Sequence, residues 1–117
     1  MKFSTPFGKI DNAEINNDFE MSTKYDTLKV GKTGVFYKSD FVTKYLPYDY
    51  LERVFIRIHE VNGKLCCGST VFQYFRMVFV HDGKEFADVI SENEKAMNEA
   101  LDEIAKYAVN TKIGYNT

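Results

Sequence analysis

The hydrophobic spacing of this chain changes once, at Ser91, and that change constrains the fold more than any other feature. Beyond it, Met97, Ala100, Leu101, Ile104 and Ala108 recur at helical spacing, with Tyr107 on the stripe's edge. Glu99, Asp102, Glu103 and Lys106 fall on the opposite side. Ser91-Glu92-Asn93-Glu94 stands in front with the pattern of a capping box, in which the serine oxygen accepts from the Glu94 amide. The pattern predicts one amphipathic helix of about four to five turns, with "VNTKIGYNT" leaving it as a tail. Before Ser91 the apolar residues alternate or run in short blocks between turn residues, which is the behaviour of strands.

Those blocks can be read in order. "TLKV", "TGVFYK" and "FVTKYL" are short strands separated by Gly31 and by Ser39-Asp40. Pro47 ends the third, because proline cannot donate to a ladder. In "RVFIRIHEV", Val54, Ile56 and Ile58 fall on one face, and Arg53, Arg57 and His59 on the other with an exposed Phe55. Asn62-Gly63 carries the strongest short hairpin signal, since a type I′ turn needs positive φ at both central positions. That turn would set Val61 against Lys64, His59 against Cys66 and Ile58 against Cys67. Gly68-Ser69 reads as a bulge or bend before the long strand "VFQYFRMVFV". His81-Asp82-Gly83-Lys84 reads as a second hairpin, with "EFADVI" as its return strand.

Residues 1–24 are the least regular part, polar with isolated apolar residues, and are expected as an irregular arm with a short strand near 13–20. Residues 25–117 are expected to form one domain, which suits a chain of 117 residues. A net charge of −2 provides no clustered basic surface for nucleic acid. No stretch approaches the apolar length of a membrane span, and the first residues lack an apolar run of signal-peptide length. A cytoplasmic location with Cys66 and Cys67 as reduced thiols is the expectation that follows.

About seven strands joined by hairpins, then one helix, make a mainly β layout with a C-terminal helix. An antiparallel sheet of this size must cover an apolar face, and one helix can plug the open end of a bent sheet or barrel. The stretch "LKVGKTGVFYKSDFVTKYLPYDYLERVFIRI", residues 28 to 58, resembles the small bacterial pleckstrin-homology-like domains. In those families a proline, an aromatic, an Asp and an aliphatic commonly precede the central strand, and Pro47, Tyr48, Asp49, Leu51 and Val54 match that phrase. The resemblance implies a seven-stranded bent antiparallel sheet or barrel capped by the helix, a binding or assembly module that is often oligomeric, and no catalytic residues. Eukaryotic relatives bind phosphoinositides through basic residues near the first hairpin. Here the dense Lys/Arg pattern is absent, so peripheral lipid contact is disfavoured.

Each candidate for chemistry has a plainer reading. Cys66 and Cys67 are adjacent on a strand, so they point to opposite faces and cannot readily share a zinc ion. A thiol enzyme using Cys66 and His59 lacks an orienting third group. "GKT" at 31–33 resembles the end of a phosphate-binding loop, but Asp26 stands where the pattern wants glycine and a strand follows instead of a helix. It reads as a hairpin turn. The carboxylates Asp82, Glu85 and Asp88, and those from Glu92 to Glu103, read as solvated faces and a helix N-terminus rather than an acid/base pair.

The leading expectation is a non-enzymatic module acting through protein–protein contact or self-association, with no metal and no cofactor. Its candidate interface residues are Tyr45, Tyr48 and Tyr50 of "YLPYDY", with Phe55, because tyrosine combines contact area with a polar tip. The alternative is a small-ligand or lipid-headgroup domain using Lys29, Lys32, Lys38 and Lys44 on the early strands.

Overall fold

Among the described residues, two mixed sheets and two α-helices enclose one main apolar layer. The computed structural model describes residues 2–39, 41–65 and 68–114; over 60–65 and 68–72 the description is of the backbone. In chain order the strands and helices are β1 (Phe3–Thr5), β2 (Gly8–Ile10), α1 (Ala13–Met21), β3 (Thr23–Tyr25), β4 (Leu28–Val30), β5 (Gly34–Ser39) and β6 (Val42–Pro47). A 3-10 turn at Tyr48–Tyr50 leads to β7 (Arg53–Leu65), β8 (Gly68–His81), β9 (Lys84–Ser91), α2 (Glu94–Tyr107) and β10 (Lys112–Gly114). The first sheet has the order β2-β1-β6-β5-β4-β3 and the second β10-β7-β8-β9.

The strands expected from residue 27 to 91 are present, as is the mainly β class. Several details differ. The arm is ordered: β1 and β2 form a hairpin, and the segment expected as a strand near 13–20 is helix α1. Asn12 caps it, its side chain accepting from the Glu14 amide at 2.8 Å. Ile15 and Phe19, four residues apart, supply the apolar stripe. Neither sheet is purely antiparallel, because β1 runs parallel to β6 and β10 parallel to β7. The segment after α2, expected as a tail, contributes that last strand. It is anchored where Thr111 Oγ1 donates to the Leu51 carbonyl at 2.8 Å and the Lys112 amide to Glu52 at 3.1 Å.

The β7–β8 register also departs from expectation. Asn62 and Gly63 lie inside β7, opposite Val71 and Thr70, and Leu65 lies opposite Gly68. His59 therefore faces Tyr74 and Ile58 faces Phe75. The hydrophobic pattern decides the matter: this register sets Val54 opposite Phe79 and Ile56 opposite Met77. A turn at Asn62-Gly63 would have shifted every one of those pairs and set Ile56 against Ser69. Gly68-Ser69 belongs to β8; the irregularity falls between Phe79 and Val80 instead. The second hairpin is as expected, with His81 opposite Lys84 and positive φ at both Asp82 (53°) and Gly83 (73°).

The helical stripe works as its spacing predicts. Met97, Ala100, Leu101 and Ile104 are fully buried. They pack with Leu28, Val30, Val35 and Leu46 from the first sheet and Val54, Ile56, Met77 and Phe79 from the second. Helix α2 contacts β3, β4, β7 and β8, so it covers both sheets. Its cap is one step displaced from the capping box. Asn93 accepts from the Ala96 amide at 3.1 Å, whereas Ser91 accepts from the Asn93 amide at 3.0 Å and donates to Asp26. Ser91 is still pairing in β9, so it cannot take the cap position.

The other face of the first sheet carries a second, smaller core. Phe3, Phe36 and Tyr45 are buried there beneath Ile15 and Phe19 of α1. Outside the second sheet, Phe55, Val78 and Val80 form a third cluster. This explains why the strand "VFQYFRMVFV" is apolar on both faces.

Candidate functional site

The "GKT" turn binds an anion, and the anion is the protein's own. Asp18, on α1, is 8% exposed. Its carboxylate accepts from the Lys32 amide at 2.8 Å, the Thr33 amide at 3.0 Å and the Thr33 hydroxyl at 2.7 Å. Consecutive amides converging on one oxygen pair make a nest for negative charge. The expected reading as a hairpin turn between β4 and β5 holds, with the Gly31 amide donating to Gly34 at 2.9 Å. No signal in the sequence connected Asp18 with this turn, thirteen residues further on at Gly31.

The same knot engages two of the expected interface tyrosines. The Tyr45 hydroxyl is 2.8 Å from Thr33 Oγ1, and the Tyr48 hydroxyl donates to the Gly31 carbonyl at 2.6 Å. Tyr45 and Tyr48 are only 5% and 6% exposed. Burial pushes both phenols above their ordinary pKa. Phe55, expected as an exposed ring, is also buried, with the guanidinium groups of Arg53 and Arg57 each 5.2 Å from its centroid. These three rings serve packing, since cations and the Val78–Val80 surface cover the one that alternation had placed outside. Tyr50 alone of the four keeps accessible surface.

Tyr50 stands at the centre of an aromatic patch drawn from three chain segments. It stacks on His81 at 3.7 Å between centroids and meets Phe86 edge-on at 5.2 Å and Phe7 edge-on at 5.1 Å. His81 Nδ1 lies 2.8 Å from the Tyr50 carbonyl, which fixes the imidazole against the ring. Phe7 is 76% exposed and Phe86 37%. Sequence reading missed Phe7 and Phe86, because the β1–β2 turn and strand β9 that carry them meet only in the tertiary structure.

The four expected lysines separate into groups. Lys29 and Lys38 line a groove of about 400 Å³ on the α1 side of the first sheet, together with Lys24, Phe19, Phe36, Tyr37 and Thr43. Lys32 is exposed in the Asp18 turn, and Lys44, paired with Tyr37 and Ser4, belongs to the opposite sheet face.

Three of the carboxylates from the second hairpin and α2 have partners of their own. Glu85 accepts from Arg57 at 2.7 Å and is held below the usual carboxylate range by that contact. Glu103 accepts from the Tyr25 hydroxyl at 2.5 Å, and Glu99 lies 3.9 Å from Lys95. His59 stacks on Tyr74, with 5.0 Å between ring centroids. Across the strands His59 has Tyr74 as its partner where Cys66 was expected; Cys66 and Cys67 lie outside the described residues. Among the described residues, no group of three His, Cys, Asp or Glu side chains is placed to hold a metal ion. No described helix is long and apolar enough to cross a membrane.

No protein-family model matches the chain, and no curated protein or solved structure matches it either.

Proposed function

We propose that this chain is a non-enzymatic pleckstrin-homology-like module that works by protein–protein contact, self-association included. The succession of β3 to β6, then β7 to β9, then a helix packed on both sheets supports the fold part of this reading. One observation carries the functional part: the patch of Phe7, Tyr50, His81 and Phe86. Exposed aromatic groups cost free energy in water, and contiguous ones mark contact surfaces. Phe7 is the clearest sign, since a ring 76% exposed on a turn tip contributes little to its own domain's core.

Light scattering on a size-exclusion column, over a range of protein concentrations, tests the reading. The expected result is a defined oligomer that the paired substitution Phe7→Ser and Phe86→Ser converts to monomer without loss of fold. A monomer at every concentration, with no protein retained on the immobilised chain, would remove the proposal.

A further inference from the structure

We infer that the groove beside Lys24, Lys29 and Lys38 is a binding site for a small amphipathic anion, one acidic group carried on an apolar body. The inference is independent of the aromatic patch and rests on the other side of the molecule.

The strand register builds the site. Lys24 on β3 lies directly opposite Lys29 on β4, and Lys29 lies opposite Phe36 on β5. Lys38, two residues beyond Phe36, lies opposite Thr43 on β6. Period-two alternation puts all five on one sheet face. Helix α1 covers only part of that face: it buries Phe3, Phe36 and Tyr45, and Phe19 near its end forms one wall of the groove. The β3–β4 turn, with Asp26 and Thr27, closes another side.

Charge defines what the groove accepts. Like charges directly opposite on neighbouring strands are destabilising, so the Lys24–Lys29 pair weakens its own sheet. None of the three lysines forms an ion pair with a described carboxylate. The carboxylate that lines the groove, Asp26, accepts from Ser91. Lys29 Nζ instead sits 4.0 Å above the Phe19 ring, at the boundary between the apolar floor and the cations. Three lysines without an ion pair, against the one lining carboxylate Asp26, leave the groove net positive over aromatic walls, which complements a molecule with an anionic head and an apolar tail. A volume of about 400 Å³ falls in the range of small-molecule sites, roughly 300–1,000 Å³.

The test is an amide NMR titration of the full chain with three probes: decanoate, decanol and inorganic phosphate. Decanoate is expected to shift the amides around Phe19, Lys24, Lys29, Phe36 and Lys38 saturably. Decanol and phosphate, each carrying half of the chemistry, are expected to bind at least roughly tenfold more weakly. Lys24 and Lys38 are exposed, so Lys24→Gln with Lys38→Gln leaves the fold intact. That double variant is expected to weaken decanoate binding by about tenfold, a few-fold for each contact. Equal binding of decanol and decanoate would overturn the anionic part. Shifts centred on Phe7 and Phe86, or undiminished binding by the double variant, would overturn the site.

Discussion

The Asp18 carboxylate occupies the space that a side chain at residue 31 would need. A Cβ on Gly31 would stand 2.8 Å from Asp18 Cγ, while the Lys32 and Thr33 amides hold that carboxylate in place. Helix α1 and the β4–β5 turn are joined through this fit, and it makes the two residues energetically dependent on one another. Asp18→Ala should cost about 3 kcal/mol, since it leaves two amides and a hydroxyl in a partly buried site without their charged acceptor. Gly31→Ala should cost about 1–3 kcal/mol by crowding the carboxylate. In the Asp18→Ala background the same change should cost far less, because the space is then vacant. Urea unfolding of the four species measures this cycle, and additive costs would show that the two residues do not share the site.

Phe41 sits at the β5–β6 turn with φ of 66° and is fully exposed. A bulky residue in the left-handed region is strained, and this ring gains no burial in return. Phe41→Asn should therefore stabilise the chain by about 0.5–1 kcal/mol. A loss of stability on thermal unfolding would mean that the ring packs in solution.

Asn93, rather than Ser91, takes the cap position of α2. Asn93→Ala should cost about 1 kcal/mol through the lost acceptor for the Ala96 amide. Ser91→Ala should act through a different contact, its bond to Asp26 in the β3–β4 turn. The two are distinguishable by combining each with Asp26→Ala. Only the Ser91 change should be non-additive with it.

Alkaline pH should destabilise the fold through its tyrosines. The Tyr25 phenol is pushed up to about 12, first by its hydrogen bond to Glu103, and Tyr37 to about 12 by burial. Burial raises Tyr48 as well. An unfolded tyrosine titrates near 10, so the folded chain holds these protons more tightly. The resulting stability is fully present below about pH 10 and is lost as pH rises toward about 12. Tyrosinate absorbance should show a late-titrating class in the folded protein, and Tyr25→Phe should diminish it. Uniform titration near 10 would contradict this arrangement.

Much of the fold was legible because it depends on local period and turn chemistry. The stripe from Met97 to Ile104, the strands from Leu28 to Pro47 and the Asp82-Gly83 turn all follow from near-neighbour rules. Helix α1 was not, because its apolar stripe is short: Ile15 and Phe19 are isolated among polar residues, and they become a core face only against Phe3 and Phe36. The hairpin register misled for a related reason. Asn62-Gly63 is a strong local signal, but thirteen cross-strand pairs from Arg53 to Leu65 outweigh one turn propensity. Of the candidate residues, Tyr50, Lys29 and Lys38 could be named from the chain, whereas Tyr45, Tyr48 and Phe55 went into the interior.

By itself the sequence determined the mainly β class, the amphipathic helix near the end and the strands that surround it, since side-chain periodicity is a property of consecutive residues. Only the tertiary structure decided which residues would meet: Asp18 with the Gly31–Thr33 turn, Phe7 with Tyr50 and Phe86, Lys24 with Lys29 and Lys38. Those meetings depend on strand order and on how α1 lies across the sheet. Both are fixed by the burial of apolar faces from distant segments, and no window of neighbouring residues contains that information.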